Sequence, residues 1–125
     1  RRYIRAAQEL GFQITGHVEQ LSSTGAAREF SAGGAVSVDH LVHLSAEDQK
    51  TIARSNTTCV LLPTSDFYLK IPYPPARGLL SDGARVALST DFNPGTSPTL
   101  DLSFLGVLAR LEMKMTRAEV FSSLT

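Results

Sequence analysis

The chain has 125 residues, of which 42% are hydrophobic and 19% are charged, a balance typical of one globular domain rather than of a disordered segment. Twelve basic residues balance twelve acidic ones without a lysine or arginine run, which argues against nucleic acid or an anionic membrane as a partner. No apolar run approaches the ~20 residues of a membrane span, and the single cysteine, Cys59, excludes an internal disulfide and weakly favours a reducing, cytoplasmic location.

Both ends of the chain fall within helical patterns. A helix over residues 1–10 would carry on one face the side chains of Tyr3, Ile4, Ala7 and Leu10. Gly11 follows where helices commonly end, and the last residues continue a helix that begins after Thr116. We therefore expect the chain to be a piece of a longer protein.

Four short apolar segments are predicted as strands, at residues 12–17, 35–41, 57–63 and 85–91. The stretches between and after them are predicted as a loop or helix at 22–34, helices at 46–55, 75–83 and 100–113, and a loop at 64–73. Because the strands are apolar on both faces and alternate with helices, they predict a parallel sheet. Four such units are half of an eight-unit barrel or most of a doubly wound sheet.

Two helices carry start signals. Ser45 is placed to cap the helix at 46–55, and Asp48, three residues later, is placed to complete a capping box. Thr116 and Glu119 have the same spacing at the start of the last helix and predict a second capping box.

Imidazoles and a carboxylate stand at the carboxyl ends of three predicted strands, namely His17, His40 and Asp91. In a parallel barrel these ends share one rim, where catalytic groups gather. Histidine nitrogen and aspartate oxygen suit a zinc or iron site with an open position. Each residue also has a structural reading, since a strand-end histidine can bond to the backbone and Asp91 can begin an Asx-turn.

The segment FNPGTSPT directly follows Asp91 and is rich in turn formers. Gly95 permits positive φ, so the N–H groups of Gly95, Thr96 and Ser97 can form an anion site, with the Asn93 amide beside it. The alternative is an ordinary loop between a strand and a helix.

Other polar residues are assigned to the surface or the core. We expect Glu19 to point outward, Gln20 to face the pocket as a donor, and His43 to be solvated. Arg77 is expected on a helix surface, with contact to an anion as the alternative. Cys59 is expected in the core.

Five segments resemble, in order, the C-terminal half of imidazolonepropionase, a family of the amidohydrolase superfamily: GHVEQLSSTGAA, AVSVDHLVHLS, VLLPTSDFYLK, YPPARGLLSDG and VALSTDFNPGTSPT. The resemblance covers residues 10–125. It implies an α/β fold, the C-terminal half of a TIM-like (β/α)8 metal-dependent hydrolase barrel. The chain would hold about strands 5 to 8 and the following helices, and the rest of the domain would lie upstream and downstream.

The resemblance also implies residue roles. His17 matches a metal ligand, Asp91 a metal ligand that also handles a catalytic proton, and His40 a catalytic group near the developing charge. Asn93, Gly95 and Thr96 match the loop that holds the substrate, and Gln20 is a substrate contact where some members carry glutamate. The implied cofactor is one divalent or trivalent metal ion, zinc or iron, whose H-x-H ligand pair would lie upstream.

The implied reaction is hydrolysis of 4-imidazolone-5-propanoate to N-formimidoyl-L-glutamate in histidine degradation. The expected partner is a small-molecule substrate, with a homodimer left open. One alternative is another amidohydrolase, such as a base deaminase; a second is a non-catalytic half-barrel. Because half a barrel leaves two strand edges unpaired, we expect the 125 residues alone to be inactive and poorly soluble.

Overall fold

The computed structural model describes residues 2–125, so Arg1 of the first predicted helix lies outside the described residues. The described residues form four strands: β1 (Thr15–Val18), β2 (Ser37–His40), β3 (Thr58–Leu61) and β4 (Arg85–Leu88). They also form seven helices: α1 (Arg2–Glu9), α2 (Ala26–Ala32), α3 (Ala46–Ala53), α4 (Pro63–Leu69), α5 (Ala76–Ser81), α6 (Leu102–Leu111) and α7 (Arg117–Leu124). In residues 2–125 no helix is both long and apolar enough to cross a membrane.

The strands form one parallel sheet in the order β1-β2-β3-β4, so each strand lies beside its predecessor in sequence. Parallel neighbours require a crossover between them, and α2, α3 and the α4–α5 pair occupy the three crossovers. The register places His17 opposite Asp39 and Val18 opposite His40. The predicted alternation of parallel strands with helices is confirmed, and the ends of all four strands share one edge.

The core lies between the sheet and its helices. Its largest fully buried apolar side chains are those of Val38, Leu41, Ile52, Leu61, Leu79 and Leu105. Cys59 belongs to the same cluster, as predicted, and burial raises the pKa of its thiol to about 12. The thiol is therefore a small apolar core group rather than a nucleophile.

One capping prediction is confirmed and the other is half right. The Thr116 and Glu119 side chains each accept from the backbone N–H of the other residue, at 3.2 and 2.7 Å. Ser45 Oγ accepts from the N–H of Asp48 at 3.1 Å. The Asp48 carboxylate does not complete the box; its Oδ1 lies 3.2 Å from Arg28 Nη1, an ion pair that ties α3 to α2.

One other prediction is wrong. Residues 64–73 were expected to be a loop, but Pro63–Leu69 is helical with proline at its first turn, where its fixed φ favours a helix. The first helix is present as predicted, at Arg2–Glu9, although its apolar face is not buried as a unit. Ile4 is buried, whereas Tyr3 and Leu10 are largely exposed.

Candidate functional site

The predicted site residues follow three strands at one edge of the sheet. His17 lies in β1, His40 ends β2, and Asp91 comes three residues after β4. The backbone is left-handed at both His40 (φ 74°) and Asp91 (φ 53°), as it also is at Leu41 (φ 63°). Such φ values are uncommon outside glycine and often occur where function constrains the backbone.

His17 and His40 are in direct contact. His17 Nδ1 lies 2.8 Å from His40 Nε2, so one of the two nitrogens donates a hydrogen bond to the other. The His17 side chain is 67% exposed, whereas only 1% of His40 is exposed. The buried imidazole therefore positions the exposed one. When His17 donates through Nδ1, its Nε2 keeps a free lone pair at the open face of the site.

Three kinds of contact set the charge state of His40. Burial lowers its pKa most, the neighbouring His17 lowers it further, and the carboxylates of Asp91 and Asp39 oppose the change. The net effect favours neutral His40. Its Nδ1 is buried without a hydrogen-bond partner among the described residues, so the ring has one nitrogen uncommitted.

Asp91 is half-buried. Its charge raises the pKa of both His40 and Asp66, which places the carboxylate within electrostatic reach of both side chains. His17 thus contacts His40, and Asp91 lies within electrostatic reach of His40 at the same end of the sheet.

The loop after Asp91 is closed on itself by Asn93. Asn93 Oδ1 accepts from the N–H groups of Gly95 and Thr96 at 2.9 and 2.8 Å, and Asn93 Nδ2 donates to Thr96 Oγ1 at 2.7 Å. The N–H of Ser97 bonds to the Asn93 carbonyl at 3.3 Å. The three N–H groups considered as an anion site therefore have partners inside the loop in this conformation.

Glu19 was expected to point outward, and this expectation is wrong. The residue is only 3% exposed, and its carboxylate accepts from the N–H groups of Thr24 and Ala27 at 2.6 and 3.1 Å. Helix α2 begins after Gly25, which has no side-chain cap, so Glu19 caps α2 from the preceding loop. The Glu19 carbonyl also accepts from the backbone N–H of His43 at 2.8 Å, and His43 is half-buried.

Two candidates remain, Gln20 and Arg77. Gln20 is half-buried in the loop after β1, beside Glu19. Arg77 takes no part in the site, because its guanidinium forms two hydrogen bonds of 2.9 and 2.8 Å with Glu119.

Sequence reasoning assigned no role to Thr64, to Asp66 or to the hydroxyl of Ser97. Thr64 and Ser97 both donate hydrogen bonds to the carbonyl of Thr90, at 2.8 and 2.5 Å. Asp66 is fully buried, with both carboxylate oxygens unpartnered among the described residues. The available signal was a hydroxyl residue and a carboxylate directly after a strand end, which the expected loop at 64–73 concealed.

The donor set has the chemistry for part of a metal site. Within residues 2–125, no group of three or more His, Cys, Asp and Glu side chains lies close enough to hold an ion. His17 Nε2 and the Asp91 carboxylate are nitrogen and oxygen donors of the kind that zinc accepts. His17 Nε2 is 3.9 Å from Asp39 Oδ2, too far for a hydrogen bond to commit it. These two residues fit an incomplete ligand set that needs donors from beyond the described residues.

Comparison with known proteins places the chain among curated relatives. No family model matches it. It is 51% identical over 124 residues to imidazolonepropionase from Bdellovibrio bacteriovorus, covering 99% of the chain and 29% of that relative. It is 42% identical over 126 residues to imidazolonepropionase from Bacillus velezensis, covering 100% of the chain and 30% of that relative. The chain therefore spans about three-tenths of the length of the relatives it matches.

Solved structures share the fold at low sequence identity. A guanine deaminase from C. acetobutylicum with bound guanine superposes with a TM-score of 0.73 at 18% identity, over 98% of this chain and 36% of that one. An adenosine deaminase from Xanthomonas campestris with bound zinc gives 0.70 at 18% identity, over 96% of this chain and 30% of that one. At such identities the likeness supports the fold alone, a partial barrel of alternating strands and helices.

Proposed function

Because the chain is homologous along its whole length to a segment of the imidazolonepropionases, we propose that it is the C-terminal half of a metal-dependent cyclic amidohydrolase. It would form about strands 5 to 8 of a barrel completed by residues upstream and downstream. The reaction is hydrolysis of 4-imidazolone-5-propanoate to N-formimidoyl-L-glutamate in histidine degradation. A cytoplasmic location and a homodimer are part of this proposal.

The proposal is supported by the contact of His17 with His40 and the electrostatic effect of Asp91 on His40, in a chain 51% identical to an imidazolonepropionase. Hydrolysis of a ring amide needs an activated water, a group that moves a proton, and a donor to the carbonyl oxygen. Three side chains at this edge match those needs.

His17 and Asp91 would hold a zinc or iron ion together with ligands from outside the described residues. The ion, when bound, supplies Lewis acidity that brings the pKa of water toward neutrality. Asp91 accepts the proton from the attacking water and returns it to the ring nitrogen as the carbon–nitrogen bond breaks. Neutral water thus adds across the amide bond, and Asp91 ends in its starting state.

His40 would donate to the carbonyl oxygen as negative charge develops there. The lowered pKa of His40 favours the neutral ring, which donates a hydrogen bond through the one nitrogen that carries a proton. Its Nε2 is engaged by His17, and its Nδ1 has no partner among the described residues. Because His17 donates to Nε2 when its own Nε2 binds the ion, neutral His40 carries its proton on Nδ1, and Nδ1 is the nitrogen that would donate to the substrate oxygen.

Asn93, Gly95 and Thr96 would shape the substrate side of the pocket. Their mutual hydrogen bonds make the loop rigid, so it contributes a preformed wall rather than a set of free amides. Gln20, on the loop after β1, would offer an amide to the substrate from the opposite side. A rigid wall limits the orientations of a bound ring and so favours attack on one carbonyl.

The test uses the full-length polypeptide that contains this chain. Conversion of 4-imidazolone-5-propanoate to N-formimidoyl-L-glutamate is followed by chromatography, with guanine and adenosine as competing substrates. We expect turnover of the imidazolone alone, and a loss of about 10²- to 10⁴-fold in kcat for Asp91→Asn with an unchanged circular dichroism spectrum. Asp82→Asn, at an exposed aspartate bonded to Gln49, is the matched control and should keep wild-type activity. No turnover by the wild type, release of ammonia from a base, or full activity of Asp91→Asn would contradict the proposal.

A further inference from the structure

The peptide unit that leads into Asp91 is held by two buried hydroxyl groups. Thr64 Oγ1 and Ser97 Oγ donate to the same acceptor, the carbonyl oxygen of Thr90, at 2.8 and 2.5 Å. Thr64 comes from the first turn of α4, after β3, and Ser97 comes from the loop after β4. Two separate segments thus use both acceptor positions of one carbonyl.

The peptide unit on the other side of Asp91 is held as well. Asn93 Nδ2 donates to the Asp91 carbonyl at 2.7 Å. Backbone hydrogen bonds of 3.1 and 3.3 Å join Asn93 and Ser97 in an antiparallel bridge, so these anchors are themselves connected. With both flanking peptide units fixed, the backbone of Asp91 has little freedom to rotate.

This restraint matters because Asp91 has left-handed backbone, with φ of 53°. A non-glycine residue persists in that region only when its surroundings overdetermine it. Rotation to ordinary extended backbone would turn the Thr90 carbonyl away from both hydroxyls and swing the carboxylate off its present direction. The hydroxyls therefore set where the carboxylate stands without touching it.

We infer that Thr64 and Ser97 are positioning residues for Asp91, which they hold in the orientation needed to bind a metal ion and move a proton. The inference rests on the proposed function for the role of Asp91, but its geometric part concerns this chain alone. Burying a hydroxyl costs free energy unless it forms a hydrogen bond. If the bond to the Thr90 carbonyl had no role, valine or alanine could replace the threonine or the serine.

The chain supplies a closely matched control. Thr57 is 2% exposed, as is Thr64, and its Oγ1 also donates to a backbone carbonyl at 2.8 Å, that of Ala35. Thr57 directly precedes β3, at the amino ends of the strands, whereas Asp91 lies beyond their carboxyl ends. Thr57→Val and Thr64→Val thus each remove a hydroxyl-to-carbonyl bond of 2.8 Å at the same degree of burial, at opposite ends of the strands, and only the Thr90 carbonyl keeps a second hydroxyl donor, Ser97.

The experiment compares Thr64→Val, Ser97→Ala, Thr64→Ser and Thr57→Val in the full-length polypeptide. Four quantities are measured: the urea midpoint, the Zn²⁺ dissociation constant by competition with a chromophoric chelator, and kcat and KM for 4-imidazolone-5-propanoate. We expect Thr64→Val and Thr57→Val to lower the urea midpoint alike. Only Thr64→Val and Ser97→Ala should weaken Zn²⁺ binding and lower kcat, each by about 10- to 100-fold, with little change in KM. Thr64→Ser, which keeps the hydroxyl, should restore most of both.

The inference is overturned if Thr64→Val and Ser97→Ala retain wild-type Zn²⁺ affinity, or if Thr57→Val weakens it equally. If Thr64→Val fails to fold, the comparison of Ser97→Ala with Thr57→Val decides. Failure of the proposed function has a different signature: the wild type would not hydrolyse the imidazolone, whereas the Zn²⁺ affinities would still rank the variants.

Discussion

Asp66 is a buried carboxylate that should reduce the stability of the protein at neutral pH. It is fully buried in the first turn of α4, and neither of its oxygens has a partner among the described residues. Burial is the main reason that the pKa of Asp66 rises from its ordinary value of 3.8 to about 7, and the charge on Asp91 adds to the effect. Replacement by asparagine keeps the shape of the side chain and removes its ionisation.

The sign follows from proton linkage. An acid whose folded-state pKa is raised binds more protons in the folded state, so its penalty is absent below the unfolded pKa of 3.8 and grows as pH rises to about 7. At about 1.4 kcal/mol per pKa unit, the difference between 3.8 and about 7 corresponds to about 4 kcal/mol at full ionisation. Asp66→Asn should therefore be more stable than the wild type by up to about 4 kcal/mol at pH 8, and nearly equal to it at pH 4.

Urea unfolding of the full-length wild type and Asp66→Asn, at pH values from 4 to 8, measures this difference. The control is Asp48→Asn, since Asp48 is also buried but is paired with Arg28, and its replacement should destabilise the protein at pH 7. Unfolding free energies that differ by the same amount at every pH, or an Asp66→Asn protein that is less stable at pH 8, would refute the reasoning.

Two further predictions concern the outer helices. Arg77 holds the pKa of Glu119 at about 2, below its ordinary 4.5, so the stabilisation by Glu119 is present above pH 4.5 and is lost as pH falls toward 2. Glu119→Gln should remove that acid dependence from the urea midpoint; an unchanged dependence would assign it to other groups. Leu105→Ala, in the core face of α6, should cost about 2–5 kcal/mol in unfolding free energy, whereas Val107→Ala, on the exposed face, should cost less than about 0.5. Equal losses in chemical denaturation would show that α6 is not packed as described.

Local sequence patterns predicted most of the secondary structure. Apolar, β-branched runs located all four strands, and parallel geometry then required His17, His40 and Asp91 to share an edge. Ser45 and Thr116 could be identified as caps because their partners lie three residues away. The strands are shorter than predicted: β1 begins three residues late and runs one residue past its predicted end, to Val18, and β4 stops at Leu88, so Asp91 lies beyond it.

The errors come from interactions that sequence spacing does not reveal. Glu19 caps a helix from eight residues before Ala27, beyond any local capping pattern. Thr64 meets the Thr90 carbonyl across 26 residues, a contact created only when α4 and the last loop come together. The residues after Pro63 suggest a turn by composition, yet the burial of Thr64 and Asp66 selects a helix.

The left-handed backbone at the strand ends also limits how this protein can evolve toward heat tolerance. Glycine is the usual remedy for a strained positive φ, but at His40 and Asp91 it would delete the imidazole or the carboxylate. Leu41 has no catalytic side chain, but it is fully buried. Glycine at that position would relieve the backbone strain and leave a cavity in the core. Adaptive substitutions should therefore accumulate on the helices and spare this edge of the sheet.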